Sequence, residues 1–354
     1  MHTPLVARCL RGLEAVVAAE VVASGLGAVT DLGHREVRFA ARRVAPSLRT
    51  ADDVFLLAAQ RPDIGAARDA VADLAELVDL MDTEHLLSLR RGVTAPAGEI
   101  TGIEVSASFL GRRSFTRYDV EDAVGRALAA RLGVPYHSRR TGTAPPPGCC
   151  GWRLTLDGSR AVLMLRLEDR PLHRRAYKQR TVPGTLHPPL AAAMAALADI
   201  RPGHVVLDPC CGAGTVLIEA ALAQPRARLH GFDLSADAVA AARANAGELP
   251  VVIRRVDAGR LPFPDGAVDR VLCNPPWGGQ VPARGLLATA PTRWWTELRR
   301  VLAPDGRAVL LLPDGDDLAT ALAHDFTPVH VQRLRLFGAQ PFLVQLMPGD
   351  TGRR

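Results

Sequence analysis

The segment V-V-L-D-P-C-C-G-A-G-T, residues 205–215, constrains this chain more than any other: an apolar run of strand character passes directly into a glycine turn and then into helical periodicity. Such a passage belongs to an open α/β sheet, where ligands sit beyond the carboxyl ends of the strands and a turn without side chains lets backbone approach them. Gly212 and Gly214 supply the turn. The third glycine of the dinucleotide pattern is missing, and no G-K-[ST] phosphate loop is present. From residue 188 onward, strand and helix alternate. Strands are expected at 205–208, 228–233, 251–256, 268–273 and 308–312. Helices are expected at 215–223, 236–246, 294–302 (stopped by Pro304 and Gly306) and 318–324, and 334–337 and 342–347 read as a closing strand pair. The pattern is that of a doubly wound sheet.

Three strand ends carry an acid. Asp208 suits an ammonium group, which a pyrophosphate does not offer, and this selects S-adenosylmethionine over a dinucleotide. Asp233, about 20 residues beyond the glycine turn, suits a pair of ribose hydroxyls. Asp257, followed by Ala258, suits the adenine amino group. The fourth strand runs into Cys273-Asn274-Pro275-Pro276-Trp277-Gly278. An exocyclic amine on a base ring is a weak nucleophile because its lone pair is delocalised, and its protons need acceptors as the nitrogen turns pyramidal. The Asn274 side-chain oxygen and the Pro275 carbonyl suit that task, the two prolines stiffen the loop, and Trp277 offers a flat face to an unstacked base.

The first half of the chain is more varied. Residues 5–10 read as a strand, 13–23 as a helix closed by Gly25 and Gly27, 36–39 as a strand, and 51–59 as a helix-to-strand passage. Residues 63–91 are polar and helical, followed by a glycine and proline break at 92–98. A strand at 100–109 and a helix at 119–132, with Asp119 as its N-cap, lead to two strands, 152–156 and 161–167, joined by Asp157-Gly158. Residues 170–184 are basic and irregular, with Pro171, Pro183 and Gly184 marking a linker.

Together, Asp208, Asp233, Asp257 and N-P-P-W resemble the amino-methyltransferase branch of the class I S-adenosylmethionine methyltransferases, in which [ND]-P-P-[YFW] marks action on planar amino groups. That branch includes enzymes of DNA adenine, guanine N2 and protein glutamine. R-P-L-H-R-R-A-Y-K-Q-R at 170–180, the P-x-L-x-x-A-M-A pattern at 188–195, S-F-T-R-Y-D-V-E-D-A-V-G-R-A-L at 114–128 and R-G-L-E-A-V at 11–16 narrow it. They are similar to the THUMP-associated RNA guanine-N2 methyltransferases.

The resemblance implies an α/β chain in which a C-terminal Rossmann-like class I methyltransferase domain follows N-terminal ferredoxin-like and THUMP α+β modules. The expected division is a ferredoxin-like segment at 1–60, a THUMP RNA-binding domain at 61–170, a basic linker at 171–187 and the methyltransferase domain at 188–350. It implies a tRNA substrate methylated at guanosine N2, in the acceptor-stem region. Ribosomal RNA as substrate and a catalytically silent RNA-binding factor stay open as alternatives. Asn274, Pro275, Pro276 and Trp277 would be catalytic. Asp208, Pro209, Cys210, Gly212, Gly214, Thr215, Asp233, Leu234, Asp257, Ala258 and Asn274 would hold the cofactor. Arg112, Arg113, Arg117, Arg139, Arg140, Arg174, Arg175 and Lys178 would meet RNA phosphates. Trp277 departs from the commoner tyrosine or phenylalanine, and Ala176 from a frequent glycine.

Composition agrees with such a partner without selecting it. Of 354 residues 48% are hydrophobic and 23% charged, which excludes a chain dominated by disorder, and the net charge of +6 permits an anionic partner. All but one of the 43 basic residues are arginine, a bias that genome composition alone produces. The alanine-rich run after Leu190 stops at Asp199, too short for a membrane span, and Arg8, Arg11, Glu14 and Glu20 break any signal peptide core. Six cysteines without CxxC spacing fit a reduced compartment and no metal site. The expectation is a cytoplasmic monomer.

Overall fold

The computed structural model describes residues 2–44, 48–93, 100–276, 278, 281–336 and 338–349. The chain divides into two compact units, one of residues 1–9 and 17–172, the other of residues 10–16 and 173–354.

The first unit is built on β1 (Thr3–Arg8), α1 (Glu14–Ala23, of which it holds the part from Val17), β2 (Gly27–Gly33), β3 (Glu36–Ala41), β4 (Asp53–Pro62), α2 (Glu76–Asp79), α3 (Thr83–Arg91), β5 (Gly102–Phe109), α4 (Arg117–Leu132), β6 (Cys149–Leu156) and β7 (Arg160–Arg166). Its strands form one sheet in the order β2-β3-β1-β4-β7-β6-β5, in which only β5 and β6 pair in parallel. β4 pairs with β7 from Phe55 opposite Arg166 to Pro62 opposite Arg160, so strands from both sides of residue 60 share the sheet. Val120, Val124 and Leu128 of α4 are buried, as are Ile103 and Val105 of the adjacent β5.

Several expectations change here. The 51–59 stretch contains no helix; it begins a loop and then β4, because the aspartate pair Asp52-Asp53 is followed by an apolar run of strand length. β2 escapes a reading of Gly27 as a helix stop: it is an edge strand whose residues alternate between partly and fully exposed. Asp119 is not the N-cap of α4. Thr116 takes that place, and Asp119, three residues on, accepts from the Thr116 backbone N–H at 2.8 Å, closing a capping box.

The second unit contains α5 (Pro188–Leu197), β8 (Val205–Asp208), α6 (Thr215–Ala223), β9 (Arg228–Asp233), α7 (Ala236–Ala246), β10 (Val251–Arg255), β11 (Val268–Cys273), α8 (Leu286–Thr289), α9 (Pro291–Val301), β12 (Leu302–Leu312), α10 (Gly315–Ala323), β13 (Phe326–Arg333) and β14 (Phe342–Pro348). The sheet order is β10-β9-β8-β11-β12-β14-β13, with β14 antiparallel to its neighbours. β8, β11 and β12 supply the centre of the core through Leu207, Val271, Cys273, Ala308 and Leu310. The carbonyls ending α5 are satisfied from the sheet: Arg270 Nε donates to Ala198 O at 2.6 Å and Gln345 Nε2 to Leu197 O at 2.7 Å.

The closing pair differs from expectation. β14 pairs with 326–333, while 334–336 forms no strand: it makes the isolated Leu336–Ala339 bridge and a Leu334 N–H bond to Pro341 O at 2.9 Å, and Phe337 lies outside the described residues. Pro328 disguises β13 in the sequence, yet an edge strand tolerates a residue without an N–H. Among the described residues no helix is long and apolar enough to cross a membrane.

Two buried polar side chains organise residues 175–187, the stretch that the sequence presents as linker. Glu219 of α6 is 1% exposed and accepts from Arg175 Nε at 3.0 Å and from the Tyr177 hydroxyl at 2.7 Å. Asn245 of α7 accepts from the backbone N–H groups of Gln179 and Arg180 at 3.1 and 2.8 Å, and donates to the carbonyls of Arg180 and Ala213 at 2.8 and 2.9 Å. One amide thus spends its donor and acceptor capacity tying this stretch to the turn between β8 and α6. Replacing Asn245 with alanine leaves buried backbone groups unpaired, so Asn245→Ala is expected to cost about 2–4 kcal/mol in denaturant unfolding. Proteolysis should open first within 175–187; a variant with wild-type stability would deny the clamp.

Candidate active site

β8 ends in Asp208, and the chain turns at once through Gly212 (φ +52°) and Gly214 (φ +80°) into α6. A side chain at Gly214 would be strained at that φ and would bring its Cβ within 3.2 Å of the Ala242 Cβ, so the turn closes tightly only with glycine there. Asp208 is 1% exposed, and its carboxyl group accepts from Cys210 N–H at 3.1 Å and is hydrogen-bonded to the Cys273 side chain. Burial pushes its pKa up to about 8, and the neighbouring Asp233 charge adds to the effect. Burial likewise pushes the thiols of Cys211 and Cys273 well above their ordinary range, so both are neutral here. A neutral acid that a cation would ionise therefore sits at the strand end.

At the end of β9, Asp233 accepts from Gly212 N–H at 3.0 Å and Ser235 N–H at 2.8 Å, one on each oxygen. Beyond β10, Asp257 accepts from Gly259 N–H at 2.9 Å and Leu286 N–H at 3.0 Å in the same divided manner. Each carboxylate is oriented by backbone while one lone pair per oxygen remains for a ligand. Beyond β11, Asn274 donates from Nδ2 to Gly184 O at 3.4 Å, which fixes the sense of its amide, and its Oδ1 is buried with no hydrogen-bond partner among the described residues. A buried acceptor without a donor is costly unless a donor arrives.

These groups surround one cavity of about 730 Å³. Asp208, Pro209, Cys210, Gly212, Thr215, Asp233, Leu234, Asp257, Ala258, Asn274, Pro275 and Pro276 all line it. Gly214 does not; it stands behind the wall, where α6 meets α7. Trp277 lies outside the described residues. The sequence reading missed one whole wall, Val182 to His187, together with Ser235, Arg284 and Pro313. The available signal was Gly184 and the prolines around it, taken for a linker although the Glu219 and Asn245 anchors hold this stretch in place. The cavity offers a buried acid to a cation, two oriented carboxylates to hydroxyl or amino donors, and an unpaired amide oxygen to an amine. S-adenosylmethionine, which carries an ammonium and an adenosine, fits that donor and acceptor set.

The basic candidates separate by environment. Arg113 is a correction: it pairs with both oxygens of Asp63 at 2.6 and 2.8 Å, both side chains being about 5% exposed or less, and so is committed to the fold. Arg175 is a second, held on the fully buried Glu219. Arg140 is partly committed, with Asp119 and Asp122 each at 2.6 Å, and Lys178 is half-buried and donates to Leu186 O at 3.4 Å. Arg112, Arg117 and Arg174 are exposed, and Arg139 is partly so, with Glu121 at 3.5 Å.

Residues 175–337 match the family model described as RMKL-like, methyltransferase domain. The tRNA (guanine(6)-N2)-methyltransferase of Thermus thermophilus is 35% identical over 265 residues, which span 71% of this chain and 75% of that protein. The U6 snRNA (guanine-N(2))-methyltransferase THUMPD2 of Bos taurus is 32% identical over 179 residues, 46% of this chain and 34% of that protein. Among solved structures, TrmN from Thermus thermophilus superposes with a TM-score of 0.77 at 29% identity, covering 98% of this chain and all of that one. With that agreement along most of both sequences and throughout the fold, the chain belongs to the tRNA (guanine-N2)-methyltransferase family.

Proposed function

We propose that this chain methylates the exocyclic N2 amine of a guanosine in tRNA, in the acceptor-stem region, using S-adenosylmethionine. The Thermus relative is named for guanine 6 of its own tRNA substrate. The observation that carries the reading is the buried, unpartnered Asn274 Oδ1 in a cavity that also holds the buried acid Asp208. S-adenosylmethionine would supply an electrophilic methyl group on a sulfonium, whose sulfur keeps the electron pair of the broken methyl–sulfur bond and leaves as a neutral thioether. Asp208 would bind its ammonium, Asp233 the ribose hydroxyls, and Asp257 with Ala258 the adenine. Asn274 Oδ1 and the Pro275 carbonyl would accept the two N2 protons, drawing the amine lone pair out of conjugation as the C–N bond forms. One proton then leaves to solvent, so no strong base is needed. Pro275 and Pro276 keep both acceptors in place, which limits reorganisation as charge develops. Trp277 keeps the base-facing role that the sequence suggests.

Residues 61–170 serve, in this reading, as the THUMP module that grips RNA, with Arg112, Arg117, Arg139 and Arg174 as phosphate contacts and Arg140 and Lys178 in lesser parts. The enzyme acts as a cytoplasmic monomer.

Transfer from labelled S-adenosylmethionine into separate tRNA, ribosomal RNA, DNA and release-factor pools tests the substrate. N2-methylguanosine in tRNA is expected on nucleoside mass analysis; label confined to another pool would refute the tRNA assignment. Asn274→Ala is expected to lower kcat by about 10²–10³-fold, the scale of losing one aligned polar group, with cofactor affinity changed only a few-fold. Retained turnover would remove Asn274 from the chemistry.

Asp208 adds a pH dependence. Its pKa is raised to about 8 without ligand, while an ammonium partner favours the ionised form, so binding releases a proton below that pH. Cofactor affinity measured by calorimetry should therefore rise up to about tenfold per pH unit between pH 6 and 8 and then level. Asp208→Asn should bind weakly with a flat profile. The same raised acid makes the ligand-free protein lose stability as pH climbs from the ordinary carboxylate range to about 8, since the folded state holds the extra proton.

A further inference from the structure

In the N-terminal unit the enclosed guanidinium groups of Arg8, Arg38, Arg90, Arg113 and Arg166 each meet a carboxylate, from Glu36, Glu36, Asp169, Asp63 and Asp53 respectively. Arg153 on β6 is different. Its Nη2 and Nη1 nitrogens donate to the hydroxyls of Ser108 at 2.6 Å and Ser106 at 3.3 Å, both on β5, and its Nε is buried with no acceptor among the described residues. Among the described residues no carboxylate forms an ion pair with it. The charges that act on it most strongly are Arg8, Arg35 and Arg139, all repulsive, against Glu121 alone. Burial pushes its pKa down to about 9, in keeping with a cation that lacks a counter-charge.

The residue is nonetheless not fully enclosed. β5 is the outermost strand of the sheet, and Ser106, Ser108 and Arg153 are each partly exposed. Ser106 and Ser108 fall on the face opposite Ile103, Val105 and Ala107, which are buried beside α4, because successive strand residues alternate between faces. Ser106 gives its proton to Trp152 O at 3.3 Å. Ser108 has its proton to offer a ligand. What converges here is a guanidinium with unused donors, a hydroxyl and a positive surround, a combination that satisfies a tetrahedral anion and no cation.

The geometry points to a phosphate-binding site at the β5 edge of the sheet, on the face of β5 and β6 away from α4, formed by Arg153 and Ser108 with Arg139 nearby, and occupied by a phosphodiester of the RNA substrate. That occupant rests on the tRNA reading above. The site itself rests on the uncompensated guanidinium. Arg153 was not among the phosphate candidates that the arginine-rich sequence suggested, because a strand arginine between apolar neighbours reads as one of many.

Thermal unfolding of the full chain in potassium phosphate and in potassium chloride of equal ionic strength tests the site without RNA. Wild type should gain about 2–4 °C in phosphate. Arg153→Met should unfold no lower than wild type in chloride, since it removes an unmatched charge, and should not respond to phosphate. Ser108→Ala, a milder change in the same site, should lose part of the response. In filter binding with an unmodified tRNA transcript, Arg153→Met should weaken affinity about 5–10-fold and reduce the slope of log affinity against log salt by about 0.7–0.9, one phosphate contact. If Arg153→Met is destabilised, and both it and Ser108→Ala respond to phosphate as wild type does, Arg153 is a structural strut and the proposal fails. An Arg153-dependent phosphate response in a chain that binds no tRNA would keep the site and overturn the substrate reading instead.

Discussion

Four parallel strands, β10, β9, β8 and β11, end on the same side of one sheet, and everything chemical in the second unit depends on that alignment. Asp257, Asp233, Asp208 and Asn274 follow those ends, so residues far apart in sequence reach one cavity without any one loop having to be long. Parallel pairing requires a crossover between successive strands, and α6 and α7 supply it between β8 and β10. The same helices carry Glu219 and Asn245 on their buried sides, and these anchors bring 175–187 to the cavity. Strand direction thus sets both the floor of the cavity and the means of building its wall.

Within that frame the polar groups divide by whether the fold satisfies them. Asp233 and Asp257 are oriented by backbone N–H groups and keep lone pairs for a ligand. Asp208 has the Cys210 N–H and the Cys273 thiol but no counter-charge, and Asn274 Oδ1 has no partner among the described residues. Unmet polar capacity in a packed interior costs stability, and here it coincides with the places where an ammonium and an amine would be received. Arg153 repeats the pattern in the other unit with the opposite charge.

The sequence was most legible where periodicity and burial agree. The ranges 215–223, 228–233, 236–246 and 268–273 read from the sequence coincide with α6, β9, α7 and β11, because each is an apolar run or a helical stripe bounded by glycine, proline or aspartate. Edge strands were less legible. β2 and β13 lack a buried alternating face, and β13 contains a proline that only an edge position accommodates. The N-cap of α4 was misplaced by three residues because a capping box puts a hydroxyl residue at one end and an acid at the other, and either type can cap a helix.

Arginine shows the limit most clearly. In a chain with a single lysine, Arg113, Arg175 and Arg153 look alike on the page. Tertiary structure decides that the first is spent on Asp63, the second on Glu219, and the third on no carboxylate. The sequence by itself determined the alternation of strand and helix, the glycine turn and the placing of acids and an asparagine at strand ends, since these follow from local periodicity and spacing. Only the tertiary structure decided which polar atoms lack partners and that the supposed linker is a wall of the site. Pairing between buried groups depends on residues distant in sequence, and burial in low dielectric makes each such pairing decisive.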